Sequence, residues 1–569
     1  MTEPIATSSD APTRDPRRSL FGRAFRFPFV VLAGGAILFA AIRYTGGNET
    51  EGMWKTLSMA VAAIGTVGLL FLWALFASGW NKSRVLIASL FVAALGLTTT
   101  EVKCDGDMNP IFGLKRWIQK PLGLAHENRV ARDRPAVIEA RPGGIDLDER
   151  PSDFPGYRGR DRDGIVSTTV PLRGDWNERP PERLWKKLVG GGHAGVILVN
   201  GFLFTLEQFD DNEAAVCMDA KDGSLVWRTE WPGRFSEAAG GVGPRSTPVV
   251  DEGEFFAVGA NGTFVCLDAK TGQKRWEKNL LEDNNNLMWA MSGSPLILGD
   301  KVIVNPGEQK YPGVGQAGET PRAVRAYDRQ SGQLRWSAGV HPTGYCSPMA
   351  ATLDGVLQVV IFDGDGFAGL DPASGAELWR VVWETQQGIN AAQPLVIDGK
   401  SLFVSSGYGV GGARFEIARK DDKWTPVQTW RAERNAMRCK FASPVYHKGY
   451  IYGLNDGIME CIDAKTGRIA KPPGHKDWKE GELGWKDSRR ARRGQAYGHG
   501  QILLAGDRIV CMTEYNELVL LDASPEALKE RGRLVVLEGA KGWNNFAIVD
   551  GIAYVRNETE IAAYNIGEK

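Results

Sequence analysis

The sequence predicts an all-β fold, an eight-bladed β-propeller with four-stranded antiparallel blades, preceded by an N-terminal transmembrane helical region. Three observations predict it. A strand-rich cassette recurs from about residue 193 to the end of the chain. Its copies are spaced by roughly 49 residues, the length of one four-stranded blade. Three uncharged apolar runs fill the first hundred residues, at a length scale set by a lipid bilayer.

Four copies of the cassette are nearly complete: VCMDAKDGSLVW, VCLDAKTGQKRW, VRAYDRQSGQLRW and AGLDPASGAELW. In each, a Gly follows the Asp by four positions and a Trp by eight, giving the pairs Asp219 and Trp227, Asp268 and Trp276, Asp328 and Trp336, and Asp371 and Trp379. Weaker copies centre on Asp463 and Asp522, and the final copy has Asn565 in the Asp position. The step from Asp371 to Asp463 is double length, and a degraded unit ending at Trp430 fills it, which brings the total to eight.

Each unit reads as four strands. In the second, STPVVD is innermost, EFFAVGA second, TFVCLDA third and QKRWEKNL outermost. The Asp and Gly fall in the turn between third and fourth strands, where a short carboxylate bonds backbone amides and Gly accepts a left-handed conformation. The Trp is expected to pack on the neighbouring blade, because one sheet cannot bury both of its own faces. The last unit stops after its third strand. Upstream of the first unit, PERLWKKLVG carries an outer-strand Trp185 with no cassette before it, so residues near 183–189 are expected to complete the eighth blade and close the ring.

These repeats resemble the pyrroloquinoline-quinone-type propeller repeats of quinoprotein dehydrogenases and of the outer-membrane assembly lipoprotein. The segments DFPGYRGRDRDGIV (153–166), GGVGPRSTP (240–248) and SGSPLILGDKVIVNPG (292–307) look closer still to membrane-anchored planctomycete-like proteins of unassigned function. The resemblance covers about residues 150–569 and speaks to fold far more than to activity. Its dehydrogenase members imply pyrroloquinoline quinone with Ca²⁺ as cofactor. The motifs that support that cofactor are absent: there is no adjacent cysteine pair, and no matching Glu, Asn and Asp set for calcium or catalytic Asp. Glu207 and Asp363 or Asp365 lie near the relevant rim but read as ordinary strand or turn residues.

Residues 27–42, 56–81 and 85–100 contain the apolar runs. Arg14, Arg17, Arg18, Arg23 and Arg26 precede the first, and Lys82 and Arg84 separate the second from the third. The positive-inside rule then puts a tail of residues 1–26 in the cytoplasm, three spans across the inner membrane over 27–100, and everything later on the periplasmic side. PRRSLF has the look of a twin-arginine signal, but two further apolar runs follow it. Cys104 lacks the small apolar residues that precede a lipid-anchor cysteine. Residues 101–180 are rich in Pro, Gly and charge and read as an extended linker, with the propeller over 181–569.

Lys plus Arg equal Asp plus Glu at 68 each, and no basic patch interleaved with aromatics points to nucleic acid. DSRRARRG (487–494) is the strongest local positive run and reads as a solvated loop, with an anionic partner as the other reading. Six His and seven unpaired-spaced Cys support no metal site. Cys217, Cys266 and Cys461 hold the same position in three units and read as small core residues, whereas Cys346 and Cys439 fall near the starts of innermost strands, from which they could approach the ring axis.

One face has short turns throughout (DEGE, LGDK, DAKTG), while the other carries long loops at 230–245, 278–293, 305–322, 382–392, 404–414 and 470–499. A rim elaborated in this way presents a binding surface. The residues leading into the innermost strands are expected at the channel mouth there: His193, Arg245, Trp289, Tyr345, Asn390, Arg438, Tyr497, His499, Trp543 and Asn544. Two functions follow as expectations. One is a membrane-anchored scaffold binding an envelope protein or a small polar ligand on this rim. The other is a quinone-dependent alcohol or sugar dehydrogenase.

Overall fold

The computed structural model describes residues 28, 30–37, 65–76, 82–104, 110–114, 130, 144–167, 170–281, 288–307, 322–432, 436–470 and 497–568. The chain divides into two compact units, Met1–Pro121 and Leu122–Lys569. In the first, residues 30–37 and 65–76 are helical. A helix α1 (Lys82–Thr99) is followed by a hairpin of Thr100–Cys104 with Pro110–Leu114. Among the described residues no helix is long and apolar enough to cross a membrane. The expected spans at 27–42 and 56–81 are described only in part, over residues 28, 30–37 and 65–76, and α1 covers most of the third.

The second unit is a ring of eight antiparallel blades. Blade 1 contains Ile197–Val199, Phe202–Phe209, Asn212–Asp219 and Leu225–Pro232 from the axis outward. Blade 2 follows with Val249–Asp251, Glu254–Val258, Thr263–Asp268 and Lys274–Asn279, the four strands read from the sequence. Blades 3, 4 and 5 begin at Leu296–Leu298, Met349–Leu353 and Leu395–Val396; blades 6 and 7 begin at Val445–His447 and Gln501–Ala505. Blade 6 shows three strands among the described residues. Blade 8 takes Ala547–Val549, Ile552–Arg556 and Glu560–Asn565 from the C-terminus and its outermost strand, Glu182–Leu188, from upstream of blade 1. Glu182 pairs with Asn565 and Leu188 with Glu560, so the ring closes where the missing strand required.

The cassette is a latch between blades. Asp268 Oδ1 accepts the Thr271 N–H at 3.0 Å, and the Gly272 N–H donates to the Asp268 carbonyl at 2.7 Å, which fixes the turn. The Trp227 indole of the preceding blade lies over this turn and donates to the Ala269 carbonyl at 3.0 Å. A Cβ on Gly272 would meet that ring at 2.8 Å, and Gly272 has φ +74°. Thus Gly is demanded twice, by backbone conformation and by the neighbour's ring. Trp185, Trp276, Trp336 and Trp430 repeat the arrangement on the carbonyls of Ala220, Arg329, Pro372 and Ala464.

Two blades depart from the pattern. Blade 5 replaces the Asp–Gly turn with a long hairpin, Gly411–Lys420 and Lys423–Arg431, turned at Asp421 and Asp422 with φ +49° and +59°. Trp379 of blade 4 therefore has no carbonyl to meet and donates to Gln358 of its own blade at 2.6 Å. The hairpin also overrides the short-turn face, bonding Asp354 of blade 4 through the Arg419 N–H at 3.0 Å, so that face is not uniformly minimal. In blade 7 the Trp position, opposite Leu520, is Gly532. There Trp176, 2 % exposed, covers the glycine, and a Cβ on Gly532 would meet Trp176 Cβ at 2.4 Å.

Residues 144–180 therefore correct the linker expectation. Ile145, Leu147, Phe154, Tyr157, Val166, Leu172 and Trp176 are all buried within this unit. Polar composition misled here because two of the segment's arginines, Arg158 and Arg162, satisfy the ring's backbone and do not face water.

Trp227→Ala is expected to destabilise the ring by about 3–5 kcal/mol, and Gly272→Ala to do so as well, through strain and clash at one point. Equilibrium denaturation of both variants checks this, and their double variant should cost less than the two added together.

Candidate functional site

The site is the central channel, and the residues just before each innermost strand build its wall. Five units carry Pro there, at Pro248, Pro295, Pro348, Pro394 and Pro444, and the residue before it is Thr247, Ser294, Ser347, Gln393 or Ser443. These side chains bind one blade to the next. The Thr247 N–H donates to Ser294 Oγ, the Ser294 N–H to Ser347 Oγ and the Gln393 N–H to Ser443 Oγ, each at 2.9 Å. Proline has no N–H to satisfy at this crowded radius, and its carbonyl stays free to accept.

Residues 153–166 enter this channel and plug it. Phe154 pairs with Leu198 of blade 1 and Ile165 with Leu504 of blade 7. Between them, Arg158 and Arg162 adopt φ +58° and +60° and send their guanidiniums into the wall. Arg158 donates to the Pro444 carbonyl at 2.7 Å and to those of Ser443 and Ile502 at 3.2 Å. Arg162 donates to the Pro348 carbonyl at 2.7 Å, to Ser294 at 3.1 Å and to Pro295. Burial lowers both guanidinium pKa values, that of Arg162 to about 10. The Tyr157 hydroxyl meets Ser443 Oγ at 3.2 Å. Gly164 is required because any side chain would strike the Arg158 guanidinium at 2.2 Å.

Toward the long-loop rim the channel is aromatic and cationic. Trp543 stands 5.4 Å from the His193 ring and 5.2 Å from Phe441, which in turn contacts His499 at 5.5 Å. Lys541 Nζ lies 4.1 Å from the centre of Trp543, and Lys440 Nζ lies 5.0 Å from Tyr408. His193 Nε2 is 3.0 Å from Glu558 Oε1. Burial holds the His193 pKa down against the pull of Glu558, which favours a neutral ring. His193 Nδ1, Trp543 Nε1, Asn544 Oδ1 and Gln501 Oε1 are buried with no hydrogen-bond partner among the described residues. Such atoms are the places where a polar guest or water gains most.

A second cluster sits on blade 4. Ligand atoms of His341, Asp363 and Asp365 lie within 4.8 Å of one another. Arg380 already fills the space, bonding Asp363 through both carboxylate oxygens at 2.8 and 2.9 Å. Burial pushes Asp363 up to about 7, opposed by Arg380 and reinforced by the Asp365 carboxylate.

The family model described as outer membrane protein assembly factor BamB matches residues 175–340 and 243–472, which together span more than half of the chain. The chain belongs to this PQQ-type β-propeller repeat family.

Among curated relatives, the quinohemoprotein alcohol dehydrogenase ADH-IIG of Pseudomonas putida is 28% identical over 26% of this chain and 19% of its own length. The dehydrogenase subunit of the quinone alcohol dehydrogenase of Acetobacter aceti is 24% identical over 49% of this chain and 39% of its own. BamB of Yersinia pestis is 23% identical over 44% of this chain and 57% of its own. The chain thus spans between about a fifth and just over half of these relatives' lengths. Of solved structures, BamB from Moraxella catarrhalis has a TM-score of 0.45 at 17% identity, covering 68% of this chain and 97% of that one.

The ten residues expected at the mouth separate into distinct roles. His193, Trp543 and His499 gather in the rim cluster. Trp289 and Tyr345 form an edge-to-face pair at 5.8 Å. Arg245 lies over Phe235 at 5.0 Å and donates to the Gly240 carbonyl at 2.7 Å. Arg438 pairs with Asp456 at 2.6 Å. Asn544 ties blade 8 to blade 1 through the Gly192 and Ala194 carbonyls at 3.1 and 2.9 Å. Asn390 is fully buried, donating to the Asp363 and Trp383 carbonyls. Tyr497 is not at the mouth: it packs in the core between blades 6 and 7 and donates to Glu530 at 2.5 Å. Phe441, Lys440, Lys541, Glu558 and the plug arginines went unrecognised, although the recurring hydroxyl–Pro step marks the wall in the sequence.

The quinone and calcium that the dehydrogenase relatives imply do not fit these residues. No adjacent cysteines are present in the chain. The His341, Asp363 and Asp365 trio is closed by Arg380, and two guanidiniums occupy the plugged end of the channel.

Arg162→Ala is expected to cost about 1–3 kcal/mol by stranding buried carbonyls. It should also speed maleimide labelling of Cys346, which is 3 % exposed beneath the plug with its thiol pushed up to about 12. A raised carboxyl pKa stabilises the fold below its ordinary 3.8 and loses that contribution as pH climbs to about 7. The melting midpoint of Asp363→Asn should therefore fall less than that of the wild type across this interval.

Proposed function

We propose that this protein is a membrane-anchored, periplasm-facing propeller that binds an envelope protein or a small polar ligand at its long-loop rim. The observation that carries the reading is the rim cluster. There Trp543, Phe441, His193 and His499 offer ring faces, Lys541 offers charge, and buried polar atoms nearby have no partner among the described residues. Aromatic surfaces with a few convergent polar groups are what a concave binding site needs. The family description, that of an outer-membrane assembly factor, supports a partner-binding role in the envelope.

The anchor reading draws on two observations. Charge placement around the apolar runs supports a cytoplasmic N-terminus. The first unit also turns apolar side chains outward: Val30, Ile37, Val67, Phe76, Ile87 and Phe91 are each at least 65% exposed.

A quinone-dependent alcohol or sugar dehydrogenase is the second reading, favoured by the printed names of several relatives. The poor fit of the cofactor residues weighs against it. Full-length protein titrated with the quinone and Ca²⁺ is expected to show neither stoichiometric binding nor dye-linked oxidation of alcohols or sugars. Both appearing together would establish the second reading instead. Trp543→Ala, with its melting midpoint kept, is expected to lose the envelope partner recovered from solubilised membranes. Undiminished recovery would remove the rim assignment.

A further inference from the structure

The loop from blade 1 to blade 2 folds back over the rim cluster. It runs from Gly233 to Gly243 as GRFSEAAGGVG, and within it Ser236–Glu237 pairs with Gly241–Val242 in a small hairpin. Gly241 lies directly on the pair of His193 and Glu558. A Cβ there would strike Glu558 Oε1 and stand 3.1 Å from His193 Nε2. Beneath it His193 is 6% exposed, with Nδ1 unpartnered among the described residues.

The composition of this loop gives it little hold on the ring. Of its eleven residues four are Gly and two are Ala, and its larger apolar side chains, Phe235 and Val242, are only half-buried. A segment that buries so little apolar surface opens locally at a small cost in free energy. The two short strands form a sheet of their own, so no blade loses a ladder bond when they move. Gly243, with φ +75°, and Gly233 flank the hairpin where the backbone would bend.

What holds the hairpin down is polar, and most of it comes from blade 8. Lys541, just ahead of that blade's first strand, donates from Nζ to the Ala239 carbonyl at the hairpin tip at 2.7 Å. Glu558, in the turn between the second and third strands, accepts the Val242 N–H at 3.4 Å, and the same oxygen lies 3.0 Å from His193 Nε2. From the base of the loop, Arg245 donates to the Gly240 carbonyl at 2.7 Å. Lys541 is also the cation 4.1 Å from the centre of Trp543, so one side chain covers the indole and pins the tip.

We propose that residues 233–243 are a lid on the rim site, pinned shut by Lys541 and lifted to admit what binds there. The proposal rests on the rim reading above for the purpose of the lid. Lifting breaks two hydrogen bonds to blade 8, from Lys541 to Ala239 and from Val242 to Glu558, and uncovers the His193 ring.

Diethyl pyrocarbonate acylates neutral imidazoles that solvent reaches, and peptide mass spectrometry of the full-length protein reads each histidine separately. In the wild type, His193 is expected to react about tenfold or more slowly than His341, whose side chain is 26% exposed. Lys541→Met removes a charge-assisted hydrogen bond and should speed His193 about tenfold while leaving His341 unchanged. Replacing Glu237–Gly241 by Asn–Gly keeps the Ser236 and Val242 pair on a two-residue turn, removes the cover and should speed His193 further. Melting midpoints report whether each variant is folded, and if the shortened one is not, Lys541→Met decides. His193 reacting as fast as His341 in the wild type overturns the lid, as does a wild-type rate in the folded shortened variant. A rate unchanged by Lys541→Met overturns the pin. The readout uses no partner, so the lid can fail while the rim still binds, and the Trp543→Ala recovery tests the rim alone.

Discussion

The ring depends on an indole of one blade seated on a glycine of the next. Each such contact combines a large apolar burial, a hydrogen bond from Nε1 to a backbone carbonyl, and a steric demand that no side chain but hydrogen occupy the partner position. Its strength follows from where it sits: at the outer radius, adjacent sheets splay apart, and only a large ring fills the gap. A propeller has no other place to bury the flanks of its sheets. The latch therefore sets the period of the sequence as well as the geometry of the fold.

The exceptions support this account better than the regular copies do. Where blade 5 lost its turn, the indole of blade 4 turned to Gln358 of its own sheet, and a hairpin grew across the same seam. Where blade 7 lost its indole, the chain supplied Trp176 from a segment outside every blade. In both cases the gap at the seam is filled and only the source of the filling changes. Trp176 also explains why residues ahead of the closing strand belong to the ring, since removing them would open the seventh seam as well as the eighth.

What could be read from the sequence divides along the same line. Asp268, Gly272 and Trp276 recur at fixed spacing because every seam poses the same packing problem, and the problem is visible wherever it repeats. The closing strand was legible for a similar reason: Trp185 had the latch residue without its turn. The plug does not repeat. Arg158 and Arg162 look like solvated charges in a polar stretch, and only the ring's converging carbonyls turn them into buried staples. Tyr497 failed in the converse way. Its place just ahead of a strand suggested the mouth, but the Glu530 carboxylate beneath it made the seam between blades 6 and 7 the better home.

With the seams carrying the stability, the channel is released to differ at its two ends. At the short-turn end, two guanidiniums are held by backbone dipoles in a desolvated wall. Charge of that sign, in a medium of low effective dielectric, raises the free energy of any divalent cation placed on the same axis. At the rim, the cations lie over aromatic faces, and the atoms unpartnered among the described residues include acceptors as well as donors. That environment suits a polar guest admitted from outside better than a resident metal. The residues on the axis are thus free to differ between chains of this fold, because the latch makes no demand there.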